Sequence, residues 1–289
     1  MTTRTTRTTR TTRTAVTAPA GLFPRPVSRA LGWVTLASLA VLVLFGLGAT
    51  PADAIQGDAV RLLYLHVPTA WLAYLAFGVT SLASALYLWP RTRRIAYDRI
   101  AGASAELGVV FTGLTLIMGS LWGRPIWGVW WAWDARLVTT AVLFFLYLGY
   151  LALRRVPGSV EGNAKRNSIA ALIAFVDVPI VHFSVTWWRT LHQQGTVFNP
   201  DLNAKIHGSM AFTLWWGVLA FTLLYVWLLD LRYRLAVLDD GLADAELDLA
   251  IAERVAADGP TREPVVTGAP AVAVDPAGIG AAGPDGGAR

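Results

Sequence analysis

Cysteine is absent from the 289 residues, which excludes disulfides, thiol redox chemistry, iron–sulfur clusters and covalent attachment of a haem to this chain. Charge is scarce as well. Only 15% of the residues are Asp, Glu, Lys or Arg, where a soluble domain of this size carries about 25%. The deficit points to lipid as the solvent, in agreement with 55% apolar residues and a mean hydropathy of +0.49. The net charge of +5 does not form one basic face for nucleic acid, because the basic residues sit between apolar runs. No phosphate-cradling Gly loop of the Walker type and no catalytic dyad is present, so any ATP hydrolysis belongs to a partner and no bond-making chemistry is supported.

Six apolar stretches approach the roughly 20 residues that cross a bilayer as a helix: 31–49, 67–88, 101–121, 137–153, 169–185 and 210–229. The expected fold class is therefore an all-α membrane protein, a six-span helix bundle over residues 30–230. The fourth and fifth stretches are short and extend into their flanks or stand nearly upright. Ala52-Asp53-Ala54 imitates a signal-peptidase site. The first apolar run exceeds the roughly 7–15 residues of a signal-peptide core, so it is expected to stay as a span. Residues 1–29, opening on repeated Thr-Thr-Arg, read as a disordered basic arm, and residues 258–289, rich in Gly, Ala and Pro, as a disordered tail. Between them, residues 231–257 read as a cytoplasmic tail helix with Leu238, Leu242, Leu247 and Ile251 near helical spacing.

Basic residues decide orientation. Arg25 and Arg29, then Arg91, Arg93, Arg94 and Arg99, then Arg154, Arg155, Lys165 and Arg166, then Arg232 and Arg234 fall on one side. The alternate connections hold Arg61, Arg124, Arg136, Arg189 and Lys205. Both termini are expected in the cytoplasm and the poorly basic connections on the outside. Glu106 and Asp177 lie in spans, where buried carboxylates are costly and face the bundle interior. Structural roles are expected for both, at a kink by Pro179 in the case of Asp177.

The outward connections carry what chemistry there is. Trp122, Trp127, Trp130, Trp131 and Trp133 fall within twelve residues, followed by Asp134 and bracketed by Arg124 and Arg136. An interfacial aromatic belt is one reading. A belt, however, scatters its aromatics over many helix ends. A platform of indoles suits a large, flat, apolar ligand, and the two arginines suit its carboxylates. In a helix, Trp127, Trp130, Trp131 and Asp134 would share one face. The four histidines, His66, His182, His192 and His207, all map to outward connections or adjacent helix ends. Each alone is more often an interfacial histidine than a ligand. His66 and His182 flank the tryptophan segment at matching depth, and two imidazoles could hold haem iron from opposite faces.

The stretch from Trp122 to Leu137 resembles the tryptophan-rich WWD signature of haem-handling membrane proteins. Gln56-Gly57 with Leu63-Tyr64-Leu65-His66-Val67-Pro68, and Pro179 to His182 with Trp187-Trp188-Arg189-Thr190-Leu191-His192-Gln193, resemble the two histidine motifs of the CcmC family. The resemblance runs from about Gly32 to Leu229. It implies a six-span protein of the bacterial cytoplasmic membrane, with the tryptophan loop and histidines facing the periplasm. It implies transient carriage of haem b to a CcmE-like chaperone in cytochrome c maturation, beside CcmA and CcmB transporter subunits and a small CcmD-like subunit. His66 and His182 would be axial ligands, and Trp122, Trp127, Trp130, Trp131, Trp133 and Asp134 the platform. Arg124 and Arg136 would meet the propionates, with His192, Trp187 and Trp188 as secondary contacts. Rival readings are a CcsA- or CcmF-like haem-ligation component, a b-type electron carrier and a permease.

Overall fold

The computed structural model describes residues 20–192 and 206–258. The remainder of the amino-terminal arm (1–19) and of the Gly/Ala/Pro tail (259–289) lies outside the described residues. Among the described residues the chain is all-α, the one β feature being an isolated bridge between Asp53 and Gly57. Six helical stretches are long and apolar enough to cross a membrane, Arg25–Ala49, Asp58–Leu88, Ile95–Trp127, Ala135–Arg154, Val160–Trp187 and Gly208–Ala257. The chain is a multi-pass membrane protein.

Helix α1 (Arg25–Leu44) carries Pro26 in its first turn, which the fixed φ of proline suits. Its entry is ordered within residues expected to be a disordered arm. The Phe23 N–H and the Ser28 hydroxyl both donate to the buried carboxylate of Asp230. A π-helical turn (Phe45–Ala49) ends the span, and Arg61 donates to the Gly46 and Leu47 carbonyls that this end leaves open. A short 3₁₀ turn (Asp58–Leu62) leads into α2 (Leu63–Leu88).

Helix α2 packs closely along α3 (Ile95–Trp127). A Cβ on Gly108 would lie 2.4 Å from the ring of Phe77, which is fully buried and stacked on Tyr147 at 3.7 Å. Helix α4 (Ala135–Arg154) joins the same side, and its Arg154 grips Asp98 with two hydrogen bonds of 2.8 and 2.9 Å. Glu106 pairs with Arg232. These groups lie at the end of the bundle remote from the tryptophan segment.

The fifth span is two helices, α5 (Val160–Phe175) and α6 (Asp177–Trp187). Pro179 accounts for the break, since its ring clashes with the carbonyl four residues back, that of Phe175. Asp177 opens the new helix, buried, with one carboxylate oxygen lacking a hydrogen-bond partner among the described residues. The sixth span and the expected tail helix are one continuous element, α7 (Gly208–Asp258). Leu214, Phe221, Tyr225 and Leu229 of α7 share a buried cluster with Leu63, Tyr64, Leu72 and Phe111. From Leu242 onward α7 belongs to a separate unit, in which Leu242, Leu247, Leu249, Ile251 and Val255 are exposed.

Candidate functional site

One cavity of about 1090 Å³ opens at the tryptophan end of the bundle. His66, on the first turns of α2, reaches it from one wall. Pro68 follows two residues later, and the Thr69 hydroxyl returns a hydrogen bond to the His66 carbonyl at 2.8 Å, so this turn is held although proline withholds a donor. The ring of His66 stands edge-on to Trp122, with centroids 5.7 Å apart. Trp122 is fixed in turn by its indole N–H, which donates to the Gln56 side chain at 3.0 Å. Nδ1 of His66 is buried with no hydrogen-bond partner among the described residues, and Gly119 of α3 leaves the room that the ring occupies.

The tryptophan segment does not continue as a helix. Helix α3 ends at Trp127, and Gly128 takes a left-handed conformation with φ of 77°, which only glycine adopts freely. Residues 128–134 therefore run as an irregular strap, and the single helical face expected for Trp127, Trp130, Trp131 and Asp134 does not form. The strap sorts its indoles instead. Trp122, Trp127 and Trp131 line the cavity, whereas Trp130 and Trp133 are exposed, the latter by 87%. Arg124 turns away from the cavity, over the ring of Trp130 and onto the Gly128 carbonyl.

Asp134 ends the strap and is buried, but it does not line the cavity. It caps α4 by accepting from the Arg136 N–H at 2.9 Å and accepts from the Leu191 N–H at 2.7 Å. Burial opposes its charge. Hydrogen bonds from the Thr190 hydroxyl and from the N–H groups of Leu191, Arg136 and Leu137 more than offset that, and hold its carboxyl below the ordinary range. Asp134 thus clips the tryptophan strap to the segment carrying His192.

His192 lines the cavity, its ring 6.4 Å from that of His66 and 6.2 Å from Trp127. His182 lines the cavity from α6, packed edge-on against Tyr74 at 6.1 Å and Phe183 at 5.0 Å. Arg136 also lines it, its guanidinium donating to the Ser184 hydroxyl and the His182 carbonyl. The structure therefore gathers His66, His182, His192, Trp122, Trp127, Trp131 and Arg136 around one space. Arg124, Trp130, Trp133, Trp187 and Trp188 lie outside it; Trp187 stacks on Phe183 at 5.4 Å, and His207 precedes α7. Sequence reasoning passed over Trp71, Tyr74 and Trp215, which also line the cavity. Each sits in an apolar run, where an aromatic reads as an ordinary lipid-facing or core residue.

The family model for Heme exporter protein C, CcmC, matches residues 14–247. The chain belongs to the heme exporter protein C family. The Heme exporter protein C of Haemophilus influenzae is 37% identical over 214 residues, 74% of this chain and 86% of that protein. That of Bradyrhizobium diazoefficiens is 39% identical over 202 residues, 69% and 75% of the two chains. That of Escherichia coli K12 is 39% identical over 217 residues, 71% and 83%. The match covers every element that builds the cavity, from the loop before His66 to the first turns of α7.

Proposed function

We propose that the chain binds haem at the tryptophan end of the bundle, on the outer side of a bacterial cytoplasmic membrane, and passes it on for c-type cytochrome maturation. The convergence of three histidines, five tryptophans and Arg136 on one cavity, in a chain of this family, carries the reading. Small-molecule sites span about 300–1,000 Å³, so a cavity of about 1090 Å³ suits a large macrocycle. Its apolar wall favours the flat faces and Arg136 a propionate. With no cysteine in the chain to form a thioether bond, the haem is held non-covalently, in keeping with haem b as the cargo.

Two imidazoles bound to one metal at about 2 Å each stand with ring centres roughly 6 Å apart. His66 and His192 already have that spacing, at 6.4 Å. We therefore pair His66 with His192 as the axial ligands. His182, the partner suggested by position along the chain, becomes a second contact at the α6 wall. Trp130 and Trp133, exposed on the strap, offer the surface from which a CcmE-like chaperone collects the cargo. CcmA- and CcmB-like transporter subunits and a CcmD-like subunit supply the energy-using partners that this chain lacks. Release requires two axial bonds and the stacking contacts to break, and no residue of the chain needs to react.

Absorption spectra of the purified chain and of His66→Ala, His192→Ala and His182→Ala variants test the assignment. Loss of the six-coordinate low-spin spectrum is expected for the first two and retention for the third. Loss with His182→Ala and retention with His192→Ala would restore the other pair, and a spectrum indifferent to all three would remove the haem site. In cells, deletion is expected to abolish holo-cytochrome c and leave b-type cytochromes assembled, and loss of both would refute the maturation role.

A further inference from the structure

We infer that the cavity takes up its cargo sideways from the bilayer, through a portal between α2 and α6. The identity of the cargo rests on the haem-binding reading above; the portal rests on how the helices part. Helix α5 packs along α2, but beyond the break at Val176 α6 packs on α4 instead. No hydrogen bond joins α2 to α6 among the described residues; the edge-on ring pair of Tyr74 and His182 spans the gap, and Val181 is buried in one cluster with Ala73 and Phe77. The other flank of α2 is bonded to α7. There the Trp71 indole donates to the Thr222 hydroxyl at 3.0 Å, and Leu63, Tyr64 and Leu72 are buried against α7.

Pro179, His182, Phe183 and Thr186 of α6 line the cavity and are exposed. His182 and Pro179 lie five and eight residues before the end of α6 at Trp187, about 7 and 12 Å along the axis. In a hydrocarbon layer about 30 Å thick, that depth meets acyl chains and not water. The aqueous end is tied across by two hydrogen bonds, Trp122 to Gln56 and Leu191 to Asp134. A flat apolar macrocycle already dissolved in lipid thus meets a seam with no hydrogen bond across it, while entry from water meets two anchored straps. Tyr74 and His182 are the gate, and Arg136 steadies its α6 side through the His182 carbonyl.

Because the chain contains no cysteine, Phe183→Cys provides a single thiol at the portal and Val129→Cys one on the exposed strap outside the cavity. Each variant is reconstituted in lipid vesicles preloaded with metal-free protoporphyrin, and uptake is followed by fluorescence before and after reaction with a bulky apolar methanethiosulfonate. Modification of the Phe183→Cys variant is expected to slow uptake at least tenfold, and modification of the Val129→Cys variant to leave it unchanged. Equal rates before and after modification at position 183, slowing at position 129 alone, or no uptake from the vesicles would overturn the portal. The metal-free ring needs no axial ligand. Portal-dependent uptake without a histidine-dependent haem spectrum would therefore retire the haem site and leave the portal standing.

Discussion

Replacing Asp134 by alanine removes two anchors at once, the cap of α4 and the tie to Leu191. Loss of an N-cap costs about 1 kcal/mol, and loss of a hydrogen bond to a charged acceptor about 1.5–3 kcal/mol. The folded state should therefore lose about 2–4 kcal/mol, the Leu191 N–H being left beside a methyl group. Asp134→Asn keeps one acceptor oxygen and should lose roughly half of that. The pH dependence has a fixed sign. The folded carboxyl is held below its ordinary value, so its contribution is fully present above the unfolded value of about 3.9 and is lost as the pH falls through the folded one. Wild type and Asp134→Asn should differ in stability at neutral pH and converge below about pH 4. Reversible unfolding in mixed micelles, followed by tryptophan fluorescence, gives the free energies, and hydrogen exchange at the Leu191 amide reports the clip itself. Because His192 follows Leu191 directly, Asp134→Ala should also weaken haem retention without touching a ligand. A stability change under about 0.5 kcal/mol with unaltered exchange at Leu191 would refute the clip.

Gly108→Ala sets a methyl group against the immobile ring of Phe77 and should cost about 1–3 kcal/mol in the same unfolding assay. Gly78→Ala, with nothing within 4 Å of the added carbon, should be neutral or slightly stabilising. Arg154→Met strands the buried carboxylate of Asp98 and should cost about 3 kcal/mol, with part recovered in the Asp98→Asn/Arg154→Met double variant. Gly119→Ala places a carbon 3.1 Å from the His66 ring; it should shift the haem absorption bands while the far-ultraviolet circular dichroism stays that of the wild type.

The spans were legible because lipid imposes a length and an apolar composition that no other constraint in this chain imitates. The fifth span carries the kink expected at Pro179, but as a full break that falls four residues back, between Phe175 and Asp177, where the apolar run itself gives no sign of it. The tryptophan segment was legible as a concentration of indoles but not as a shape. Helical spacing put Trp130 with Trp127 and Trp131, whereas one left-handed glycine, Gly128, turns the chain so that Trp130 faces outward. The histidines show the same limit. Position along the chain paired His182 with His66, yet depth says nothing of azimuth, and the ring 6.4 Å from that of His66 is His192. Asp134 stood in the sequence among the aromatic residues as if it shared their task, and its role as a cap and tie depends on a partner 57 positions away.

The interruption at Val176 has a mechanical consequence. On one side of it, Ala164, Asn167, Ser168, Ala171 and Ala174 are buried; on the other, Asp177, Val181 and Ser184 face inward while the neighbouring side chains look out. A continuous helix would transmit any tilt of one half to the other, and a seam does not. The half toward the tryptophan strap packs on α4, and the half toward the basic end packs on α2. Tolerance to substitution along this span should accordingly change as a step at Val176, strict before it and lenient after it, and not as a slope from the centre of the bundle to its rim.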